Sequence, residues 1–385
     1  MTSSDTMRPG AAAGDATPAE ATPVDATPWT RCLTLREVEA AGAALMPAGP
    51  RAYFEGGAAD EVSLRENQSA FERWRIVPRM MVPNTERDQS VDVLGRRWPT
   101  PVAIAPMALQ RLGHPDGEVA VARAAQARGI TYLLSTCASA GFDEVTGTGV
   151  DTWFQLYLLS ERSRSKALID QAEAAGCEAL VLTVDTPMTG LRERDVRFGY
   201  RLPSGILYAL IRRGAAERGV SSLDDQIQSS YSWEDVEWVL ANTRLPVLVK
   251  GIQHPEDARR CVDMGAAGVI VSNHGGRQQD LAISGIDALP WVADALADRA
   301  VVLMDGGIRR GTDVLTALAL GARAVLVGRP ILFALPLGGE AAVGHTLDLL
   351  RNEVDRGLAL SGIPRAAAWR REHLVRAGSV PGLFD

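Results

Sequence analysis

Gly268-Val269-Ile270-Val271-Ser272-Asn273-His274-Gly275-Gly276-Arg277 is a short apolar run that stops at a polar, glycine-rich turn. The run is too short for a helix and rich in β-branched residues, so it predicts a buried strand. Similar runs lie on both sides of it. Val102–Ala105, Thr131–Leu134, Trp153–Leu156, Leu180–Val184 and Val247–Val249 precede it, and Val301–Met304 and Ala324–Val327 follow. Segments with helical spacing separate most of them, as at Gly117–Arg128, Arg164–Ala175, Pro255–Met264 and Thr312–Leu320. Apolar strands alternating with amphipathic helices predict a parallel sheet covered by helices. Eight such units predict closure into a (β/α)8 barrel, the TIM barrel of the α/β class. A doubly wound open sheet is the alternative, but the GxGxxG turn expected after its first strand is missing.

Composition sets the outer bounds. The chain has 385 residues, 46% of them hydrophobic, which is enough for a substantial core. Lys plus Arg is 40 against 47 Asp plus Glu, and a net charge of −7 argues against a nucleic-acid binder. Cys32, Cys137, Cys177 and Cys261 are scattered with no CxxC pair, so neither a metal site nor a disulfide framework is expected. No apolar run reaches the roughly 18–20 residues of a membrane span. No signal peptide is visible, and a cytoplasmic location is expected. Residues 1–29 are small, polar and proline-punctuated (Asp15-Ala16-Thr17-Pro18, Asp25-Ala26-Thr27-Pro28), which reads as a disordered tail before one barrel domain over 30–385. The long connection between Leu180–Val184 and Val247–Val249, including Phe198–Ser230, breaks the rhythm and is a candidate lid or a plain insertion.

Barrel active sites form at the C-terminal ends of strands, which makes strand-end polar residues informative. His274 ends strand six and can accept a proton near neutral pH. Arg277 can grip a carboxylate through its planar fork. A histidine near an arginine is more often structural; the strand-end position reverses that expectation. Asp305-Gly306-Gly307-Ile308-Arg309 and Val327-Gly328-Arg329 end strands seven and eight, where glycine turns receive phosphate in many barrels. Arg309 and Arg329 add charge there, and Asp305 can accept from sugar-like hydroxyls. Lys250 closes strand five and can offer a cation to an anionic ring. Asp185 ends strand four and can orient a protonated histidine; Arg192 follows as a second guanidinium. Gln155 and Tyr157 flank Leu156 at the end of strand three. This ring suits an anionic substrate and a phosphorylated cofactor.

The motifs in order are Tyr53-Phe54-Glu55-Gly56-Gly57-Ala58, Ala105-Pro106-Met107-Ala108, Phe154-Gln155-Leu156-Tyr157, Leu182-Thr183-Val184-Asp185-Thr186-Pro187, Leu248-Val249-Lys250-Gly251, Ser272-Asn273-His274-Gly275-Gly276-Arg277-Gln278 and Asp305-Gly306-Gly307-Ile308-Arg309-Arg310-Gly311. In order and spacing, over roughly residues 50 to 365, the chain resembles the FMN-dependent 2-hydroxy-acid oxidases and dehydrogenases. That family includes glycolate oxidase, lactate oxidase and mandelate dehydrogenase. The resemblance implies FMN as cofactor and oxidation of a small (S)-2-hydroxy acid to the 2-oxo acid. It implies His274 as base with Asp185 as its partner, and Arg192, Arg277 and the Tyr53 hydroxyl on the substrate carboxylate. Tyr157 would bond the reacting hydroxyl. Ser135, Gln155, Thr183 and Lys250 would face the flavin ring, with Ala108 packing beside it and Ser272 in the same pocket. Asp305 would bind the ribityl chain, and Gly307, Arg309, Gly328 and Arg329 the phosphate. A homotetramer is implied on the same ground.

One departure bears on specificity. Glycolate oxidase has a tryptophan where this chain has Cys137, so a side chain larger than that of glycolate is expected. Two rivals differ in class: an FMN barrel of another reaction type, such as an isomerase, and a non-catalytic flavoprotein. The first should lack Arg192 and Arg277 around His274, and the second should lack the ring altogether.

Overall fold

The apolar runs become strands because each is buried on both faces, between the barrel interior and the surrounding helices. The computed structural model describes residues 28–83, 85–198, 208–211 and 227–379. Eight strands form one closed parallel barrel: β1 (Val102–Ile104), β2 (Tyr132–Ser135), β3 (Thr152–Leu156), β4 (Ala179–Thr183), β5 (Val247–Ile252), β6 (Gly268–Val271), β7 (Val301–Asp305) and β8 (Ala324–Val327). Each pairs with its chain neighbours, and β8 closes on β1 through Val325 opposite Val102. A helix follows every strand: α1 (Gly117–Gln126), α2 (Phe142–Thr146), α3 (Arg162–Ala174), α4 (Trp233–Ala241), α5 (Pro255–Asp263), α6 (Gly285–Leu296), α7 (Gly311–Ala319) and α8 (Arg329–Ser361). The TIM barrel expected from the strand runs is therefore the fold.

Two local features depart from the sequence reading. β5 runs on to Ile252, so Lys250 lies inside the strand rather than at its end. The register against β6 shifts between Lys250 and Ile252, where Gly251 adopts φ +102. The second concerns the tail. Residues 1–27 lie outside the described residues, but Pro28–Arg31 form a 3-10 turn, and the Trp29 ring sits 5.4 Å from that of His345. The tail reading over 1–29 thus overlaps ordered structure at its end.

Among the described residues three α-helices precede the barrel: Leu35–Leu45, Ala48–Glu55 and Val62–Ser69. The first opens with a capping box in which Thr34 accepts from Glu37 N and the Glu37 carboxylate accepts from Thr34 N. The antiparallel pair Val91–Val93 and Arg96–Trp98 turns at Leu94 and Gly95, both at positive φ as a two-residue hairpin loop requires. Trp98 then packs on Trp153 of β3 at 5.3 Å between ring centroids.

The candidate lid, Phe198–Ser230, falls largely outside the described residues. Two of its described residues bond to loops of the barrel: Ala209 N donates to Ala138 O (2.8 Å) and Gln228 N to Leu158 O (2.8 Å). No helix among the described residues is long and apolar enough to cross a membrane.

Candidate active site

The C-terminal ends of the strands surround one deep cavity. Its wall includes Tyr53, Ala108, Ser135, Cys137, Gln155, Tyr157, Thr183, Arg192, Lys250, His274, Arg277, Asp305, Gly307, Arg309, Gly328 and Arg329. The residues singled out in the sequence therefore converge, with two exceptions. Asp185 and Ser272 stand behind the wall and act through their neighbours.

His274 is the centre of one half. Its Nδ1 lies 2.9 Å from Asp185 Oδ1, and its Nε2 lies 3.3 Å from the Tyr157 hydroxyl. Burial works to raise the Asp185 pKa, but His274 and Lys250 outweigh it and hold the carboxyl below its usual range. An ionised Asp185 accepts a hydrogen bond from Nδ1–H, which leaves Nε2 as the ring's proton acceptor. Burial, then Cys137 and Asp185, push the Tyr157 hydroxyl well above the ordinary tyrosine value, so it keeps its proton.

The guanidiniums flank Tyr53, with Arg192 and Arg277 centred 5.3 and 5.2 Å from its ring. Arg192 is braced by Asp195, whose Oδ2 lies 3.2 Å from its Nε. Arg277 instead donates to the carbonyls of Tyr53 (2.9 Å) and Gly56 (2.7 Å). Burial and the nearby Arg192 push its pKa down from the usual arginine range. A guanidinium hardly gives up its proton, so relief comes from an anion.

The other half repeats this arrangement. Arg309 pairs with Glu39 at 2.5 Å, a partner contributed by the helix Leu35–Leu45. Arg329 donates to the carbonyls of Phe54 (3.1 Å) and Gly275 (3.0 Å). Burial, then Arg277 and Arg309, lower its pKa. Among the described residues neither Arg277 nor Arg329 pairs with a carboxylate.

Lys250 links the halves. Its ammonium lies 3.0 Å from Asp305 Oδ2 and donates to Ser272 Oγ at 2.8 Å. Burial opposes its charge, yet Asp305 and Asp185 outweigh that and raise its pKa. Ser272 Oγ also accepts from His274 N at 3.0 Å. Ser272 therefore braces the His274 turn and Lys250, and its O–H remains as a donor.

Flavin binding can be tested against the wall itself. Gln155 Nε2, Thr183 Oγ1 and Asp305 Oδ1 are buried without a hydrogen-bond partner. Buried polar atoms are rarely left unmet. Ser135 Oγ holds Gln155 Oε1 at 3.1 Å, which fixes the orientation of that amide. Orphaned donors and acceptors around an apolar cleft, with an uncompensated arginine at one end, match the needs of a heteroaromatic ring carrying a phosphate.

Cys137, on the wall after β2, has its thiol pushed up to about 12 by burial. All four cysteines are buried and reduced. Other contributors escaped the sequence reading. Gln278 accepts from Gly190 N (3.2 Å) and donates to Asp185 O and Met188 O (both 2.9 Å), tying the β4 and β6 loops together. Glu118, fully buried, accepts from Gln110 N (3.1 Å) and Ser139 N (2.7 Å) and so holds the loops after β1 and β2. Gln278 adjoins Arg277 in the quoted motif, a signal of position though not of role. Glu118 sits in a helical run and gives none.

A barrel mouth with a paired imidazole, two anion grips and unmet polar atoms defines a cofactor-dependent enzyme acting on an organic acid. The comparisons agree. The model of the FMN-dependent dehydrogenase family matches residues 43–376. The 4-hydroxymandelate oxidase of Amycolatopsis orientalis is 45% identical over 346 residues, 88% of this chain and 97% of that protein. The L-lactate oxidase of a Nostoc species is 43% identical over 324 residues, 80% of this chain and 89% of that protein. A solved structure of mandelate oxidase with (S)-4-hydroxymandelic acid superposes with TM-score 0.85 at 44% identity, covering 89% of this chain and 98% of that one. The chain belongs to the FMN-dependent dehydrogenase family. FMN is its cofactor and 2-hydroxy-acid oxidation its chemistry, which sets aside both the isomerase and the non-catalytic rivals.

Proposed function

We propose that this enzyme oxidises (S)-2-hydroxy acids bearing a side chain larger than that of glycolate, with aryl acids of the mandelate type foremost. The observation that carries the reading is the small Cys137 on the cavity wall beside Tyr157 and Arg192. A short side chain there leaves room that a bulkier wall residue would fill. Relatives named for mandelate and 4-hydroxymandelate point the same way.

In this reading Arg277 and Arg192, with the Tyr53 hydroxyl, hold the substrate carboxylate. The charge-assisted bonds fix the acid in one orientation and place its α-carbon within reach of His274. Nε2 of His274 takes a proton from the substrate, and Asp185 stabilises the resulting imidazolium. The Tyr157 hydroxyl hydrogen-bonds the reacting oxygen. Bound FMN supplies the acceptor for two electrons. Gln155, Thr183, Ser135 and Ala108 receive its ring, and Asp305 its ribityl hydroxyls. Arg329, Arg309 and the turns at Gly307 and Gly328 receive the phosphate. Lys250 would offer a cation to the flavin ring.

The test is anaerobic mixing with a panel of aliphatic and aromatic 2-hydroxy acids while the flavin absorbance is followed. Mandelate and 4-hydroxymandelate should bleach it faster than glycolate. A preference for glycolate overturns the size argument, and no bleaching by any acid overturns the whole reading. Cys137→Trp should cut kcat/KM for mandelate by at least about tenfold, since overpacking a filled site costs roughly 1–3 kcal/mol, and should affect glycolate far less.

A further inference from the structure

The base sits on an unusual turn. His274, Gly275 and Gly276 have φ of 58, 65 and 73, three consecutive residues in the left-handed region. Glycine enters that region freely, whereas histidine does so at a cost. The conformation persists only because its surroundings impose it. Ser272 Oγ accepts from His274 N at the start of the turn, and Asn273 Oδ1 accepts from Gly276 N (3.1 Å) at its end.

Asn273 is in turn fixed from outside the barrel. Its Nδ2 donates to Asn67 Oδ1 at 2.9 Å, and Asn67 Nδ2 donates back to Asn273 Oδ1 at 2.8 Å. Both side chains are buried, at 3% and 4% exposure, so neither has water as an alternative partner. The orientation of the pair is forced. Gly276 N needs the oxygen of Asn273, and Ile283 O takes its amide at 3.2 Å, which leaves Asn67 one arrangement. The helix carrying Asn67 is itself anchored by the loop it braces. Asp280 accepts from Ser63 N (2.8 Å) and Val62 N (3.3 Å) at that helix's N-terminus, and Ser63 Oγ donates to Ala282 O (2.9 Å). The Asn67 backbone also closes on the next turn: a Cβ added to Gly307 would lie 1.8 Å from Asn67 O.

We propose that Asn67, in the helical segment ahead of the barrel, is a positioning residue that holds the His274 turn through Asn273. It touches neither imidazole nor Asp185; it sets the backbone from which the imidazole projects. The proposal rests on His274 being the base.

The experiment measures anaerobic flavin reduction by mandelate in Asn67→Ala, Asn273→Ala and the double variant, each rate divided by bound FMN. Asn67→Ala should be slowed about tenfold to a hundredfold, the scale of a misplacement near 1 Å, with KM little changed. The low-pH limb of kcat/KM should shift, because the imidazole has moved relative to Asp185. The double variant should be no slower than Asn273→Ala, since one residue works through the other. Asn67→Gln keeps both donor and acceptor on a longer stem; it should fall between wild type and Asn67→Ala, and it carries the test if the alanine variant does not fold. A wild-type rate per FMN with an unshifted limb overturns the proposal, as does a double variant whose loss is the product of the single losses. His274→Ala measured alongside separates the two readings. A normal rate there removes the base assignment, whereas a slow His274→Ala beside a normal Asn67→Ala removes this proposal alone.

Discussion

The two halves of the cavity use arginine in the same way and differ in what else they hold. At the end proposed to hold the substrate Arg192 is braced by Asp195, while Arg277 lies against the Tyr53 ring and donates to carbonyls. At the end proposed to hold the phosphate Arg309 is braced by Glu39, while Arg329 among the described residues donates to carbonyls. In each half one guanidinium is already neutralised and the other is left for an anion. Only the substrate half adds a titratable ring, oriented by an ionised carboxylate. In the proposed function one half therefore grips and reacts, and the other only grips.

The comparison breaks first at His274. His274→Ala should lower the rate of flavin reduction by about 10²–10⁴, the usual worth of a positioned base, and leave FMN bound. Near-normal reduction would show that the halves do not divide the work in this way. Next come the carbonyl-held arginines. Arg277→Met should weaken substrate binding and Arg329→Met should weaken FMN binding, each by roughly 2–5 kcal/mol, or about thirtyfold to a few thousandfold. Substrate titration and FMN release on ultrafiltration read them separately. Loss of FMN from Arg277→Met at constant substrate affinity would reverse the assignment. The smallest effect belongs to the braces. Glu39→Gln leaves Arg309 uncompensated, so the FMN-free protein should lose about 1–3 kcal/mol. FMN should then raise its melting temperature by more than it does in the wild type. An unchanged ligand-induced shift would mean that Arg309 does not share the phosphate.

The strands and their polar ends were legible because burial and chemistry both act on local sequence. β6 and β8 begin and end where their apolar runs do, and a strand buried on both faces needs no partner information to be recognised. His274, Arg277, Asp305 and Arg329 were visible for the same reason: each lies in the polar turn that ends such a run. What escaped depends on contacts between distant segments. Asn67 meets Asn273 across 206 positions, and nothing in Leu64-Arg65-Glu66-Asn67 marks it. Glu39 sits on a helix whose apolar face gives no hint of Arg309. The brace role of Ser272 was missed because its neighbour in space, Lys250, belongs to the adjacent strand.

The bonds from Gln278 to Asp185, Met188 and Gly190 separate two kinds of evolutionary freedom. Up to Gly190 the β4 loop is stapled to the turn that carries His274, whereas Ile227 and Ser229 line the cavity without a bond to that turn among the described residues. Substitutions at Ile227 and Ser229 should change which acids fit while the pairing of His274 with Asp185 stays as it is, making this part of the wall the natural handle for redesigning substrate range.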